Sequence, residues 1–476
     1  MRCPLQLLDK NPKVLFAFYF VLAASLQLLF FAAGSFSDAP DNCFYGDSWL
    51  LHSMASNYLD HGVMNYIEEG PTLTQLPGYP FLISLFYDLF GVDTRNILYF
   101  QIFCSSLIIP SAVLLLKKHL GGYSHLFALL LIFDLHTLLY SSCLMTEFWV
   151  WLFWFIAFLC WSQYDGQTKK YLIPLGFAFL CLAANFKPLP VHFALFFVLG
   201  MIVLGFKLFM SHWRLFFFGL AIFAVGLIPL LYRNYQVTEQ FPRYSTISSF
   251  GAWHYNIAYR ESDRLGISIS ESRFILVEKM RQKLISRGHE IAPIPLKIAG
   301  SRHEHIQALG LSEYEYANLA DEMVAEYLKN NFFSYSWAHF KAAFNTFTIS
   351  NLSWLKMVFL HYKAISFGHM SVGELLDMLK QGNVKSFLLF SRFYELTYVF
   401  VLMPFVMLAL LAGWFSREKK FVILCAFFFI SYVCLIAGLN TYGRFRYLFM
   451  PMFLFLGVLG VKYTLTYLRK TLFTRA

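Results

Sequence analysis

Charged residues are scarce in this chain. Only 14% of its 476 residues are Asp, Glu, Lys or Arg, whereas 58% are hydrophobic, and the mean hydropathy is +0.54. A soluble domain carries about a quarter charged residues. This shortage of charge, together with repeated apolar runs of about 20 residues, excludes a soluble globular core and predicts a polytopic α-helical membrane protein.

Several other signatures are missing from the sequence. The eight cysteines form no CxxC pair and most lie in apolar runs, so they indicate neither a disulfide framework nor a structural metal. The glycine patterns of dinucleotide- and phosphate-binding loops do not occur, and there is no internal repeat. The net charge of +10 is carried largely by short loops, which favours an orientation signal over nucleic-acid binding.

The apolar runs predict about ten transmembrane helices in an all-α fold. Their approximate bounds are Val14–Ala33, Ile97–Leu116, Ser124–Ser142, Phe148–Trp161, Tyr171–Ala184, Pro188–Phe206, Arg214–Tyr232, Tyr394–Trp414, Phe421–Leu439 and Tyr447–Tyr463. Counted from a cytoplasmic N-terminus, every inner loop is basic, as the positive-inside rule requires. We therefore expect both termini in the cytoplasm and two large pieces outside it.

Three parts follow from this pattern. Residues 1–233 form an N-terminal transmembrane region with a large external loop at 36–78, residues 234–392 form a mainly helical extracytoplasmic region, and residues 393–476 form the last three transmembrane helices. In the second part, Ser270–Arg287 is predicted as a charged helix, and Ser312 with Glu315 as a capping box that opens another. The Phe- and Trp-rich segment Asn331–Leu360 is typical of an amphipathic helix in the membrane interface.

The stretch from Asp47 to Phe90 carries the most informative order of residues. Asp47 follows the first span, a helical run with Tyr58 comes next, and Pro77-Gly78-Tyr79-Pro80 opens another apolar run. This order resembles the first external loop of the C-type integral-membrane glycosyltransferases that use polyprenyl-phosphate sugars. The branch it resembles is the dolichyl-phosphate-mannose protein mannosyltransferase-like one, glycosyltransferase family 39.

The resemblance implies an inverting enzyme that moves a sugar from a polyprenyl-phosphate donor to an acceptor outside the cytoplasm, with the loop 36–78 as its catalytic loop. An acidic residue at the place of Asp47 is the general base in that family. The alternative for Asp47 is the capping of a helix that begins at Ser48. We expect Tyr58, Pro77, Gly78, Tyr79 and Pro80 to shape the loop and its return to the membrane.

Glu147, at the outer start of the fourth predicted span, is the second candidate catalytic carboxylate. The family often has an acidic residue there, which implies that Glu147 orients the acceptor or a cation. Stabilisation of the first helical turn by its charge is the alternative. Asp134 and His136 also interrupt an apolar run, and for them we favour a polar contact between helices over a functional pair.

Basic residues at three outward helix ends are candidates for binding the donor phosphate. Lys187 lies between the fifth and sixth predicted spans, Arg233 closes the seventh, and Arg444 and Arg446 precede the last. The resembling family places basic residues near the donor at such positions, and arginine can bind phosphate oxygens bidentately. The alternative for each residue is snorkelling to lipid headgroups.

The expected partners are a polyprenyl-phosphate sugar donor, a lipid-linked, polysaccharide or protein acceptor, and the lipid bilayer, without nucleic acid. No metal site is predicted, and a divalent cation stays open as a cofactor. The composition favours a bacterial inner membrane, with the active site outside the cytoplasm. A lipid-linked glycan ligase or polymerase is the alternative among enzymes. A transporter is the alternative class, and it would show paired broken helices or a repeat.

Overall fold

The computed structural model describes residues 10–33, 47–65, 72–165, 168–240, 243–294, 302–348, 384–416, 419–437, 439 and 443–473, and these contain helices and no strand. The first ten helices are α1 Pro12–Ala33, α2 Ser48–His61, α3 Gly78–Phe90, α4 Thr94–Leu120, α5 Ser124–Ile132, α6 Leu135–Ser141, α7 Thr146–Ser162, α8 Leu172–Phe186, α9 Leu189–Leu204 and α10 Phe206–Thr238. The others are α11 Ile247–Phe250, α12 Ala258–Leu265, α13 Ile269–Ser286, α14 Arg302–Leu309, α15 Glu313–Thr348, α16 Val384–Phe415, α17 Lys420–Ala437 and α18 Gly443–Phe473.

Helices α7 and α8 show how the bundle is built. Trp149, near the start of α7, stacks on Phe186 at the end of α8, with ring centroids 5.7 Å apart. At the opposite end, the Trp161 indole N–H donates to the carbonyl oxygen of Ile173 at 3.1 Å. The two helices are therefore antiparallel along their length. Both are apolar on all sides, as expected of helices surrounded by other helices and lipid.

The chain reverses direction after α4. Gly121, at the turn, has φ +62°, which residues with a side chain rarely adopt. Lys462 in α18 donates to the carbonyl oxygen of His119 at 2.7 Å, whereas Arg446, near the start of α18, contacts His136 at 3.0 Å. The segment from 119 to 136 thus runs along α18, and α5 and α6 return the chain toward the end of the bundle where α4 begins.

A capping residue divides the predicted span Ser124–Ser142 into α5 and α6. Asp134 is the N-cap of α6, and its carboxylate accepts hydrogen bonds from the Thr137 amide at 2.8 Å and the Thr137 hydroxyl at 2.9 Å. An aspartate in this role begins a new helix because it satisfies amide groups of the first turn. Asp134 therefore has a structural partner on its own helix as well as a nearby histidine.

Six helices of the described residues are long and apolar enough to cross a membrane, or up to seven if a bent pair counts as one span, so the chain is a multi-pass membrane protein. The six are Pro12–Ala32, Thr94–Ile132, Phe206–Thr238, Thr397–Trp414, Lys420–Ala437 and Phe445–Thr471, and the bent pair is Leu135–Ser141 with Thr146–Ser162, at 119°. The range Thr94–Ile132 counts α4 and α5 together, although the chain reverses direction between them. The predicted count of ten is not confirmed. The predicted spans Tyr171–Ala184 and Pro188–Phe206 are helices of 15 and 16 residues, whereas about 20 residues are needed to cross the hydrocarbon.

The two ends of the bundle differ in charge. We call the end that carries Glu147 and Lys187 the upper end and the opposite end the lower end. At the lower end, Lys118, Lys419 and Lys462 are close enough to His119 to act on it electrostatically. The positive-inside rule predicts that the lower end faces the cytoplasm.

A separate helical unit follows α10 and covers 243–348. Its apolar core contains Phe250, Trp253 and Met280. The predicted charged helix is present as α13, Ile269–Ser286. The predicted capping box is confirmed, because the Glu315 amide donates to Ser312 Oγ at 3.2 Å and the Ser312 amide donates to Glu315 Oε2 at 2.8 Å.

Helix α15 links this unit to the bundle. Its first half contributes Tyr316 to the core of the unit. Its last turns reach the bundle, where Phe347 packs on Phe449 and Phe453 with ring centroids 5.3 and 5.8 Å apart. Between them lie the exposed aromatic residues Phe332, Phe333, Trp337 and Phe340. The predicted interfacial segment thus belongs to α15 up to residue 348, and 349–360 lie outside the described residues.

Candidate functional site

The turn that leads into α7 is held at the upper end by polar contacts from three helices. Gln101 of α4 donates to the carbonyl oxygens of Cys143 at 3.0 Å and Ser141 at 3.3 Å. The Tyr79 hydroxyl of α3 donates to the side-chain oxygen of Gln101. From α2, the Ser48 hydroxyl donates to the carbonyl oxygen of Leu144 at 2.8 Å. All three side chains are buried, so the turn has a fixed position.

Asp47 lies beside this turn because the next residue, Ser48, donates a hydrogen bond to the turn at Leu144. Asp47 is the N-cap of α2, and its carbonyl oxygen accepts from the Leu51 amide at 3.1 Å. Its side chain makes no capping hydrogen bond. Asp47 therefore occupies the capping position of the alternative prediction, but its carboxylate does not cap the helix.

Glu147 and Lys187 form an ion pair, with Lys187 Nζ 2.5 Å from Glu147 Oε1. The Glu147 side chain is 1% exposed and the Lys187 side chain 19% exposed. Glu147 lies in the first turn of α7, where Thr146 Oγ1 also donates to Glu147 Oε2 at 3.2 Å. Lys187 immediately follows α8, and its ammonium lies 5.9 Å from the centroid of the Phe445 ring. The pair thus joins α7 and α8 beside the start of α18.

Arg446 is buried and bound to protein groups. Its Nη2 lies 3.0 Å from His136 Nε2, and its Nη1 donates to the carbonyl oxygen of Phe347 at 3.0 Å. The Arg446 side chain is a donor only, so His136 Nε2 is the acceptor and the imidazole proton sits on Nδ1, 3.5 Å from Asp134 Oδ1. Asp134, His136 and Arg446 therefore form a polar chain between helices, the arrangement favoured from the sequence. Binding of a phosphate by Arg446 stays a prediction.

Arg233 contacts the external loop. Its Nη2 donates to the carbonyl oxygen of Thr72 at 3.1 Å, and its Nη1 donates to Asn234 Oδ1 at 2.9 Å. The structure thus places Arg233 against the described end of the loop. Its predicted role in phosphate binding stays a prediction. Arg444 begins the last helix, but its side chain lies outside the described part of the chain.

The predicted loop-shaping residues come together at the start of α3. Pro77 is its N-cap, and Tyr79 and Pro80 are buried. A Cβ at Gly78 would overlap the carbonyl oxygen of Asn185, so only glycine fits this close approach of α3 to the end of α8. Tyr58 of α2 packs edge-on against Phe81 of α3, with ring centroids 6.1 Å apart. Residues 36–46 and 66–71 of the loop lie outside the described residues.

Glu313 is a loop contact that sequence reasoning missed. Its carboxylate accepts from Thr72 Oγ1 at 3.0 Å, from the Leu73 amide at 2.9 Å and from Thr74 Oγ1 at 2.9 Å. The capping box of Ser312 drew attention to Glu315 instead. No local pattern could identify Glu313, because its partners lie about 240 residues earlier in the chain.

In the described ranges, no three His, Cys, Asp or Glu side chains come close enough to hold a metal ion.

Comparison with known proteins gives structural likeness only. No protein-family model and no curated protein matches the chain. Among solved structures, the chain is similar to ArnT from Cupriavidus metallidurans bound to undecaprenyl phosphate, with 11% identity, a TM-score of 0.40, and 92% of this chain and 76% of that chain covered. It is also similar to ArnT from the same organism in the apo state, with 11% identity, a TM-score of 0.37, and coverages of 87% and 72%. At these identities and TM-scores, neither structure assigns a family to this chain or a role to any of its residues.

Proposed function

We propose that this chain is a membrane glycosyltransferase that moves a sugar from a polyprenyl-phosphate donor to an acceptor at the upper end of the bundle. The observation that carries the proposal is the ion pair of Glu147 and Lys187, 2.5 Å apart, with its carboxylate buried and its ammonium partly exposed. Buried ionisable groups are costly in membrane proteins and mark functional sites there. The loop residues that resemble the C-type glycosyltransferases meet the bundle beside this pair.

The reaction needs one base and one site for the leaving group. A hydroxyl oxygen of the acceptor attacks the anomeric carbon, the bond from that carbon to the phosphate oxygen breaks, and the phosphate leaves with the electron pair. Asp47 takes the proton of the acceptor hydroxyl. A single displacement of this kind inverts the anomeric carbon. A carboxylate is one of the side chains that serve as a general base in such proton transfers.

Lys187 is the residue we propose to bind the donor phosphate. An ammonium has three N–H donors, so a phosphate oxygen can join the Glu147 carboxylate in binding it. Glu147 then holds the ammonium in place and keeps it charged in a poorly hydrated site. Arg444, the residue before Phe445, is the proposed second phosphate ligand, and the apolar helices around the site would hold the prenyl chain.

The test is transfer of radiolabelled sugar by the purified chain in lipid nanodiscs. Undecaprenyl phosphate, the lipid bound to the similar ArnT structure, is the carrier we propose for the donor. Undecaprenyl-diphosphate sugars and nucleotide sugars serve as the control donors. The acceptors are glycolipid, polysaccharide and protein fractions of the host envelope. We expect transfer from the monophosphate donor alone.

Two variants tie the assay to the ion pair. Lys187→Met should raise the KM for the donor about tenfold or more, because a charge-assisted contact to phosphate is lost. Lys207→Met, at the start of α10 and the lower end, is the control and should leave the KM unchanged. Transfer only from diphosphate donors would support the ligase alternative, and transfer from no lipid donor would contradict the proposal.

A further inference from the structure

A polar pocket opens between helix α9 of the bundle and the outer helical unit. It has a volume of about 540 Å³, within the usual range of ligand pockets. Its lining residues are Pro188, Val191, His192, Arg243, Tyr244, Ser245, Ser248, Ser249, Tyr314, Asn318 and Asp321. One lining residue, Pro188, directly follows Lys187 in the chain.

The charged side chains of the pocket neutralise each other. Arg243 Nη2 lies 2.6 Å from Asp321 Oδ2, and Arg243 Nη1 donates to Ser249 Oγ at 2.8 Å. Among the described residues that line the pocket, Arg243 and Asp321 are the only Asp, Glu, Lys or Arg residues. An anionic ligand would find its cation already paired with a carboxylate, so the electrostatics favour a neutral ligand.

The remaining lining combines hydrogen-bonding groups with an aromatic face. His192, Ser248 and Asn318 present an imidazole, a hydroxyl and a carboxamide from exposed positions. The Tyr314 ring has the Arg243 guanidinium carbon 5.5 Å from its centroid, which holds the ring in a defined orientation. Sugar rings offer the complementary chemistry, since their hydroxyls bond to amides and hydroxyls and their C–H faces pack on aromatic rings.

We propose that this pocket binds a neutral sugar unit of the acceptor. This role as an acceptor site rests on the proposed function, whereas the class of ligand rests on the pocket alone. Tyr314 follows Glu313, whose carboxylate holds residues 72–74 of the external loop. An acceptor bound here therefore contacts the same helix turn that positions the loop.

The test is equilibrium binding of oligosaccharides to the full-length purified chain in nanodiscs, without a donor. The probes are neutral hexose, N-acetylhexosamine and deoxyhexose oligomers and their uronate-bearing counterparts. We expect the chain to bind neutral oligomers more tightly than uronate oligomers. Tyr314→Ala and Asn318→Ala should each weaken neutral binding by about threefold to tenfold, the range expected for one lost contact.

A variant that shifts the preference from neutral toward uronate oligomers is a sharper test. Asp321→Asn leaves Arg243 without its carboxylate partner, so affinity for uronate oligomers should rise relative to neutral ones. Ser248→Trp fills the pocket from an exposed position and should abolish binding while thermal unfolding stays unchanged. Gln282→Ala, on α13 of the same unit, is the control and should bind like the unmodified chain.

The outcomes separate the two proposals. Equal binding by the Tyr314, Asn318 and Ser248 variants, or a preference for uronate oligomers, would overturn the pocket assignment even if sugar transfer is observed. Neutral binding that depends on these residues in a chain that transfers no sugar would keep the ligand class and overturn the role as an acceptor site. In the transferring enzyme, Asn318→Ala should raise the acceptor KM and leave the donor KM unchanged.

Discussion

The buried carboxylate of Glu147 needs a cation at its side. A carboxylate taken out of water loses solvation energy, and only a close, well-placed partner offsets that loss. Lys187 supplies it from the next helix at 2.5 Å. The pair therefore links the stability of the α7–α8 contact to the chemistry we assign to the upper end.

Removing one partner should be more harmful to stability than removing both. Lys187→Met leaves Glu147 as an uncompensated buried charge and should cost about 3–5 kcal/mol. The double variant Glu147→Gln, Lys187→Met should recover most of that loss in thermal unfolding experiments. Sugar transfer should remain impaired in the double variant, because stability returns and the phosphate contact does not.

The Lys207→Met variant checks that the effect belongs to the pair. A double variant that is as unstable as Lys187→Met alone would contradict the coupling of the two residues. A double variant with normal donor KM would remove Lys187 from the phosphate site.

At the residue scale, the sequence located the short-range features better than the long-range ones. The order of Asp47 and Pro77–Pro80 was visible along one stretch, and so was the capping box at Ser312. The contact of Arg233 with Thr72 joins residues 161 positions apart, and no local pattern carries such a pairing. Roles for Asp47, Glu147 and the basic residues stay predictions that activity measurements must decide.

At the scale of helices, apolar runs predicted most elements because lipid imposes the same demand on every spanning segment. The run Ser124–Ser142 was predicted as one helix, but Asp134 caps a new one. Short helices such as α8 were drawn as spans because hydropathy does not report whether a helix is long enough to cross. Helix α15 combines two predicted segments, the helix opened by Ser312 and part of Asn331–Leu360, which were predicted separately because its polar first half and aromatic second half have different patterns.

Helix α15 is joined to the external loop by the hydrogen bonds that the Glu313 carboxylate accepts from residues 72–74. Glu313→Ala should free residues 72–74, because hydrogen bonds to a charged group contribute about 1.5–3 kcal/mol. Hydrogen exchange should become faster in peptides that cover 72–76, and sugar transfer should slow. Glu326→Ala, on the exposed part of the same helix, is the control and should leave exchange in 72–76 unchanged. Unchanged exchange in Glu313→Ala would show that other contacts hold the loop without it, namely Arg233 on the Thr72 carbonyl oxygen and the Thr246 amide on the Leu73 carbonyl oxygen at 3.2 Å.

The acidic groups of the outer unit predict its response to pH. Burial alone would raise the pKa of Glu261, but hydrogen bonds from Arg264 and Tyr327 outweigh it and lower the pKa below its ordinary value of 4.5. A carboxyl whose pKa is lowered by folding stabilises the fold above the unfolded pKa, and this contribution is lost as the pH falls through the folded pKa. Thermal stability of the unit should therefore decline below about pH 4.5, and less steeply in Glu261→Gln. Equal slopes in both chains would contradict this assignment.

At the scale of the whole molecule, the distribution of charge predicts orientation. Lysines gather at the lower end, whereas the external loop, the ion pair and the outer unit lie at the upper end. The positive-inside rule then predicts that the lower end faces the cytoplasm. A donor that reaches the upper end must already have crossed the bilayer on its lipid, which agrees with the lack of a nucleotide-binding glycine pattern.

Cysteine labelling in intact cells tests this orientation. Lys279→Cys, on α13, should react with a membrane-impermeant maleimide, and Lys169→Cys, at the lower end, should react only after permeabilisation. The chain without an added cysteine is the control, and its described cysteines are buried or half-buried. The reverse labelling pattern would place the ion pair in the cytoplasm and remove the proposed donor from reach.

The measurement that tests the central claim most directly is single-turnover transfer of the sugar from a saturating undecaprenyl-phosphate-linked sugar donor. The rates of three proteins are compared: the unmodified chain, Asp47→Asn and Asp60→Asn. Asp60 lies exposed on the same helix, α2, and serves as the matched control. Loss of a general base should slow transfer by about 10²–10⁴-fold in Asp47→Asn, with the donor KM unchanged and Asp60→Asn near the unmodified rate. Equal transfer by Asp47→Asn at equal expression would contradict the account and move the base elsewhere, with Glu147 the first residue to examine.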